Sequence, residues 1–211
     1  MLHAVQRILS AAVGAGPPDP STPLLAAYPT VAMRVGRGAL ALNARDLREL
    51  HAVAPGFGFE RWTREDAARA LLLIAHRATG RTGKAFRSDA LECFEQGDAG
   101  EQQSWLRAIA LWPEANGFLA TAIDACRTNI VPVFEALACE NPYPSQYFPE
   151  RNFNQVVLKA MFNSIALERI VGLKSRLNPE LSRMARDYAA ERTAAGRSVP
   201  ADLGLALQEP R

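Results

Sequence analysis

Residues 124–159, DACRTNIVPVFEALACENPYPSQYFPERNFNQVVLK, contain two apolar helical segments joined by a proline-studded connection. Projected at about 100° per residue, Ile123, Cys126, Ile130, Val133, Phe134 and Leu137 fall on one apolar arc of the first segment. Asp124, Thr128, Val131 and Glu135 follow the i, i+4, i+7, i+11 pattern on a second arc, with Arg127 between the two. In the second segment Phe153, Val156, Val157, Leu158, Ala160, Met161 and Ile165 cover most of the surface. Asn152, Gln155, Lys159 and Asn163 gather on the remaining face, and Asn154 sits inside the apolar arc. A helix apolar over so much of its circumference is packed on more than one side.

Working outward, the same helical period recurs along most of the chain. Residues 1–12 place Val5, Ile8, Leu9 and Ala12 on one side, and GAGPPDPSTP follows as a connector that neither helix nor strand crosses. Residues 24–42 read as a short helix or an irregular segment, because Gly36 and Gly38 interrupt a weak alternation. Asn43 is an N-cap for a helix ending at Pro55-Gly56. Thr63 to Asp66 caps AARALLLIAHRA, a helix apolar almost all round and so expected at the centre of the fold. Asp98 and Glu101 form a capping box. Asn141 to Pro149 reads as a rigid loop, and Asn178-Pro179 opens a helix closing at Gly196. The expected fold is all-α, about seven to nine helices in an irregular, HEAT-like stack of antiparallel pairs. The expected organisation is an N-terminal helix and connector (1–23), one helical domain (24–198) and a loose tail (199–211).

Composition sets further bounds. With 48% hydrophobic and 22% charged residues, the 211-residue chain has the make-up of a globular domain. A net charge of +2, with dispersed basic residues, argues against nucleic acid as partner. No apolar run approaches the roughly 18 residues of a membrane span, so membrane insertion is not expected. The first residues lack the apolar core and small-residue cleavage site of a secretory signal and read as an amphipathic lead-in helix. Three unevenly spaced cysteines make no disulfide framework, and the cytoplasm is the simplest localisation.

The chemistry-bearing residues concentrate in the opening stretch. His3, His51 and His76 have no ligand-spaced partners, so no metal site and no cofactor is expected. Gly80-Arg81-Thr82-Gly83-Lys84 imitates half a phosphate loop, but Ala85 stands where Ser or Thr is needed and a helix precedes it. The candidate ligand-binding set is Asp124, Arg127, Thr128, Glu135, Glu140, Tyr143, Asn154, Gln155 and Lys159. Two roles stand open for it: a salt-bridged network that locks helices, or the polar walls of a cleft between the two central helices. Asn154 is read as a structural hydrogen-bonder or a ligand contact, and Tyr143 and Tyr147 as binding anchors or caps.

The motifs CRTN, ENPYP, FPE, NFNQVVLKA and NPELSRM give the chain a specific likeness, over about residues 60–200, to the EboA family. Asp202-Leu203-Gly204 stands where the family places a tryptophan after the proline. The resemblance implies a helical protein encoded beside a prenyltransferase, a sugar-cyclase-like enzyme, and TIM-barrel and phosphatase-like proteins, serving the making or export of a specialised metabolite. Two functions follow as expectations. The first is an accessory protein that binds a pathway enzyme or a small polar intermediate. The alternative is a metal-free enzyme of the same pathway with Glu135 as acid or base and Lys159 and Arg127 as electrostatic partners.

Overall fold

A computed structural model describes residues 2–14 and 22–208, so most of the expected Gly/Pro connector lies outside the described residues. The α-helices are α1 (Leu2–Val13), α2 (Leu24–Val35), α3 (Ala44–Val53), α4 (Arg64–Ala78), α5 (Gly83–Glu95), α6 (Ala99–Ala108), α7 (Leu119–Ala125), α8 (Val131–Ala138), α9 (Tyr143–Tyr147), α10 (Glu150–Phe162) and α11 (Pro179–Ala194). Short 3-10 turns fill several connections, and the sole β pairing among the described residues is a single bridge between Ala39 and Thr63. The fold is all-α. No described helix is long and apolar enough to cross a membrane.

Local side-chain chemistry sets the helix starts. Asn43 Oδ1 accepts from the amides of Arg45 and Asp46 at 2.9 Å each. Thr63 and Asp66 exchange reciprocal capping bonds at 3.2 and 2.8 Å, and Asp98 and Glu101 do the same at 2.8 and 3.1 Å. Each such cap satisfies amides that a helix start leaves without internal partners, contributing about 1 kcal/mol. Residues 24–35 form a helix despite an internal Pro29.

The chain divides into two compact units, Met1–Leu137 and Ala138–Arg211, where the sequence reading places one domain over 24–198. In the first, α4 is a hub packed against α1, α2 and α6, as its all-round apolar sequence requires. Trp105 and Trp112 lie 4.7 Å apart with Phe118 at 5.3 Å from Trp105, and the Trp105 indole donates to the Ala90 carbonyl at 2.7 Å.

In the second unit α10 packs on α11, and a 3-10 turn at Leu203–Ala206 packs on α11. Leu203 and Ala206 are buried, and the Gln208 amide donates to Ser182 Oγ at 2.8 Å. Residues 199–208, expected as a loose tail, are therefore built into this unit. Their two buried apolar side chains, Leu203 and Ala206, are too few to announce themselves as a helical period.

Candidate functional site

The sequence reading places Asp124, Arg127, Thr128 and Glu135 along one helix. The chain instead leaves helix after Ala125 and re-enters it at Val131. Pro132 explains the break: in an unbroken helix it would remove a hydrogen bond and press its ring against the carbonyl four residues back. Thr128 Oγ1 accepts from the Ile130 amide at 3.1 Å, a local turn that competes with helix. Arg127 Nη1 meets Asp124 Oδ1 at 3.0 Å with both side chains more than three-quarters exposed (78% and 76%). An ion pair so exposed contributes a few tenths of a kcal/mol at most. Glu135 is half-buried on α8. The four residues thus belong to three local structures rather than to one polar seam.

The remaining candidates lie in the second unit. Glu140 adopts a left-handed backbone (φ 46°), and its amide donates to the Arg169 carbonyl at 2.8 Å. The Arg169 guanidinium returns to clamp the Glu140 carboxylate at 2.8 and 3.1 Å, the bidentate geometry in which such pairs are strongest. Asn141 Oδ1 accepts from the Tyr143 amide at 3.0 Å and turns the chain into α9, a short helix where a plain loop is expected. Tyr143 is fully buried, 4.7 Å from the Tyr147 ring, and burial pushes its phenol well above the ordinary range. Arg176 donates to the carbonyls of Ser145 at 2.7 Å and Phe148 at 2.8 Å while lying 4.8 Å over the Phe153 ring. It thereby satisfies carbonyls that the end of α9 leaves open.

Asn154 faces Asn178 in a closed amide pair, with bonds of 3.1 and 2.9 Å. Asn178 Oδ1 also accepts from the Leu181 amide at 2.8 Å, capping α11, and its Nδ2 donates to the Arg176 carbonyl at 3.0 Å. Asn154 is 1% exposed, so this hydrogen bonding is what makes a carboxamide tolerable there. Of the other α10 candidates, Gln155 is exposed and Lys159 half-buried. The structure thus uses Glu140, Tyr143 and Asn154 to hold the loop, α10 and α11 together.

A groove of about 290 Å³ opens elsewhere in this unit, among residues absent from the candidate set. Ser164 ends α10 with φ 57°, while the Ile165 amide reaches back to the Ala160 carbonyl at 2.9 Å. Asp202 Oδ2 accepts from the Leu167 amide at 2.6 Å, and Arg192 Nε donates to the Ser198 carbonyl at 2.9 Å. Met161, Ile165 and Pro200 give the groove apolar surface; Ser164, Arg192, Ser198 and Asp202 give it polar surface. The contributors come from three separate stretches, which hides the site from helical periodicity.

The first unit holds a buried charge cluster that the sequence reading also missed. Arg69, 2% exposed, donates to Glu65 at 2.9 Å, to Ser104 Oγ at 3.0 Å and to the Tyr28 carbonyl at 3.4 Å. Ser104 Oγ donates to Asp66 Oδ1 at 2.8 Å, and Glu101 approaches Arg69 to 3.9 Å. Burial pushes the Tyr28 phenol well above its ordinary value, with the Arg69 charge opposing. These contacts join α4 to Tyr28 on α2 and to Glu101 and Ser104 on α6, and the arrangement acts as a helix-locking network around α4. Among the described residues no three His, Cys, Asp or Glu side chains gather closely enough to hold a metal ion.

No curated protein and no solved structure matches the chain. A family model described as Metabolite traffic protein EboA matches residues 18–208, nearly the whole sequence and both units. The chain belongs to the EboA family.

Proposed function

We propose that this protein is an accessory component of metabolite traffic, one that holds a small polar intermediate for the proteins that make or move it. The membership in a family described by metabolite traffic is the observation that carries the reading. The fate of the sequence candidates supports it. Glu140 and Asn154 are committed to Arg169 and Asn178, and Arg127 meets Asp124 in an exposed ion pair. The Glu140–Arg169 and Asn154–Asn178 arrangements, each closed by paired hydrogen bonds, suit a scaffold that presents a preformed surface, since preorganisation lowers the ordering cost of binding. Candidate partners are the enzymes encoded beside EboA proteins and the intermediates those enzymes exchange.

The test combines retention with turnover. Purified protein is incubated with small-molecule extract from cells carrying the pathway and examined by native mass spectrometry, with the extract profiled before and after. The expected result is a retained small molecule and an extract unchanged in composition. Conversion of an extract component in proportion to added protein overturns the non-enzymatic reading. Retention of nothing, together with no affinity for the neighbouring enzymes, overturns the accessory role.

A further inference from the structure

Resting on that reading, we propose that the groove between the end of α10, the last turn of α11 and residues 198–202 is a ligand site for a small organic anion. Its ligand carries a carboxylate or phosphate on a compact apolar body, with a hydrogen-bond donor at the far end. The volume of about 290 Å³ stands at the lower edge of the roughly 300–1,000 Å³ of small-molecule sites. The surface pairs an apolar floor with a few polar groups, the usual composition of such pockets.

Three features of the lining point to the ligand. The Arg192 side chain has Nε bound to the Ser198 carbonyl and lies 5.9 Å over the Tyr188 ring, which fixes the plane of the guanidinium. Its two Nη groups have no hydrogen-bond partner among the described residues, leaving a preset fork for an oxyanion. The Ser164 and Ser198 hydroxyls likewise make no hydrogen bond among the described residues, and both line the groove. Asp202 turns Oδ2 to the Leu167 amide, so that Oδ1 remains to accept from the ligand's donor.

Backbone conformation supplies an independent observation. Ser164 sits at φ 57°, whereas the turn after α11 uses glycine at the matching conformation, Gly196 at φ 66°. A left-handed residue closing a helix is usually glycine because any Cβ is disfavoured there. A serine held in that conformation beside an open groove carries a hydroxyl that glycine would lack, at a cost in stability.

The full chain is titrated with 3-hydroxybenzoate, 3-hydroxyphenyl phosphate and the neutral 3-hydroxybenzyl alcohol, with backbone amide NMR as readout. The acid is expected to shift amides of residues 161–166 and 198–202 and to bind at least about tenfold more tightly than the alcohol. Arg192→Gln should remove about that tenfold preference and leave the alcohol unchanged. Ser164→Gly should raise the melting temperature by about 2–4 °C while weakening the acid several-fold. These opposite signs separate a binding role from a folding one. Tighter binding of 3-hydroxyphenyl phosphate than of the acid assigns a phosphate headgroup and weaker binding a carboxylate, whereas both anions binding no more tightly than the alcohol overturns the inference. Shifts outside the groove, or unchanged anion binding in Arg192→Gln, likewise overturn it. If that happens while the extract still yields a retained molecule, the accessory role stands and this site does not.

Discussion

Asn154→Ala measures how much of the second unit hangs on one amide pair. The substitution removes two buried hydrogen bonds, at 3.1 and 2.9 Å. Asn178 keeps the Leu181 amide and the Arg176 carbonyl as partners, so neither of its side-chain polar atoms is left unsatisfied. At about 1 kcal/mol per bond, with a similar amount for the void left by the carboxamide, the loss is roughly 2–3 kcal/mol. For a chain of this size that corresponds to a fall of about 5–10 °C in melting temperature. Asn178→Ala also removes the α11 cap and should cost about 1 kcal/mol more. Because the shared pair can be lost only once, the double variant should fall short of the sum by about 2 kcal/mol. Urea denaturation of the four proteins provides the measurement. An Asn154→Ala protein within about 0.5 kcal/mol of the parent, or simple additivity in the double variant, refutes the reasoning. The ligand-contact reading of Asn154 predicts the reverse pattern, with stability kept and binding lost.

Other outcomes follow from the same geometry. Gly172→Ala would place a Cβ 2.6 Å from that of Ser145 at φ 77°, whereas Gly196→Ala meets nothing within 4 Å and bears only the strain of its φ of 66°. Thermal melts should therefore show the larger loss at Gly172, with Gly196→Ala costing about 1 kcal/mol; equal losses would contradict the contact. The Asp89 carboxyl is held below the usual carboxylate range, first by its hydrogen bond from Arg81 and further by His76, against the opposing effect of burial. A folded value below the unfolded one gives stability that is full above about pH 4 and lost as pH falls through the lower folded value. Asp89→Asn should accordingly flatten the acid limb of urea-unfolding stability between neutral and acid pH. Burial pushes the Cys93 thiol up to about 12, whereas Cys126 is only half-buried. Titration of the native protein with a thiol reagent at mildly alkaline pH should label Cys126 first and Cys93 only after denaturant is added.

Legibility followed the range of the interactions. The caps at Asn43, Thr63, Asp98 and Asn178 join residues two or three positions apart, so sequence spacing exposes them directly. The hub role of α4 was equally readable, because a helix apolar on every side has no other place. The Arg69 cluster was not, since beyond Glu65 on its own helix its partners Tyr28 and Ser104 arrive from helices that helical projection treats separately. The opening stretch misled for a local reason: apolar periodicity runs through Pro132, and backbone sterics outweigh the pattern there. Arg192 and Asp202 escaped notice because a groove assembled across a tail has no period of its own.

The cluster around Arg69 has a consequence for how this sequence can drift. Removing one member of a buried ionic set leaves its partners charged and dry, typically a loss of 3–5 kcal/mol, whereas exchanging the whole set for well-fitting apolar side chains is often neutral. Arg69, Glu65, Asp66 and Ser104 therefore form a ratchet in sequence space. Descendants of this chain can inherit the quartet intact or discard it wholesale, but the intermediates between those two states are the ones least able to fold.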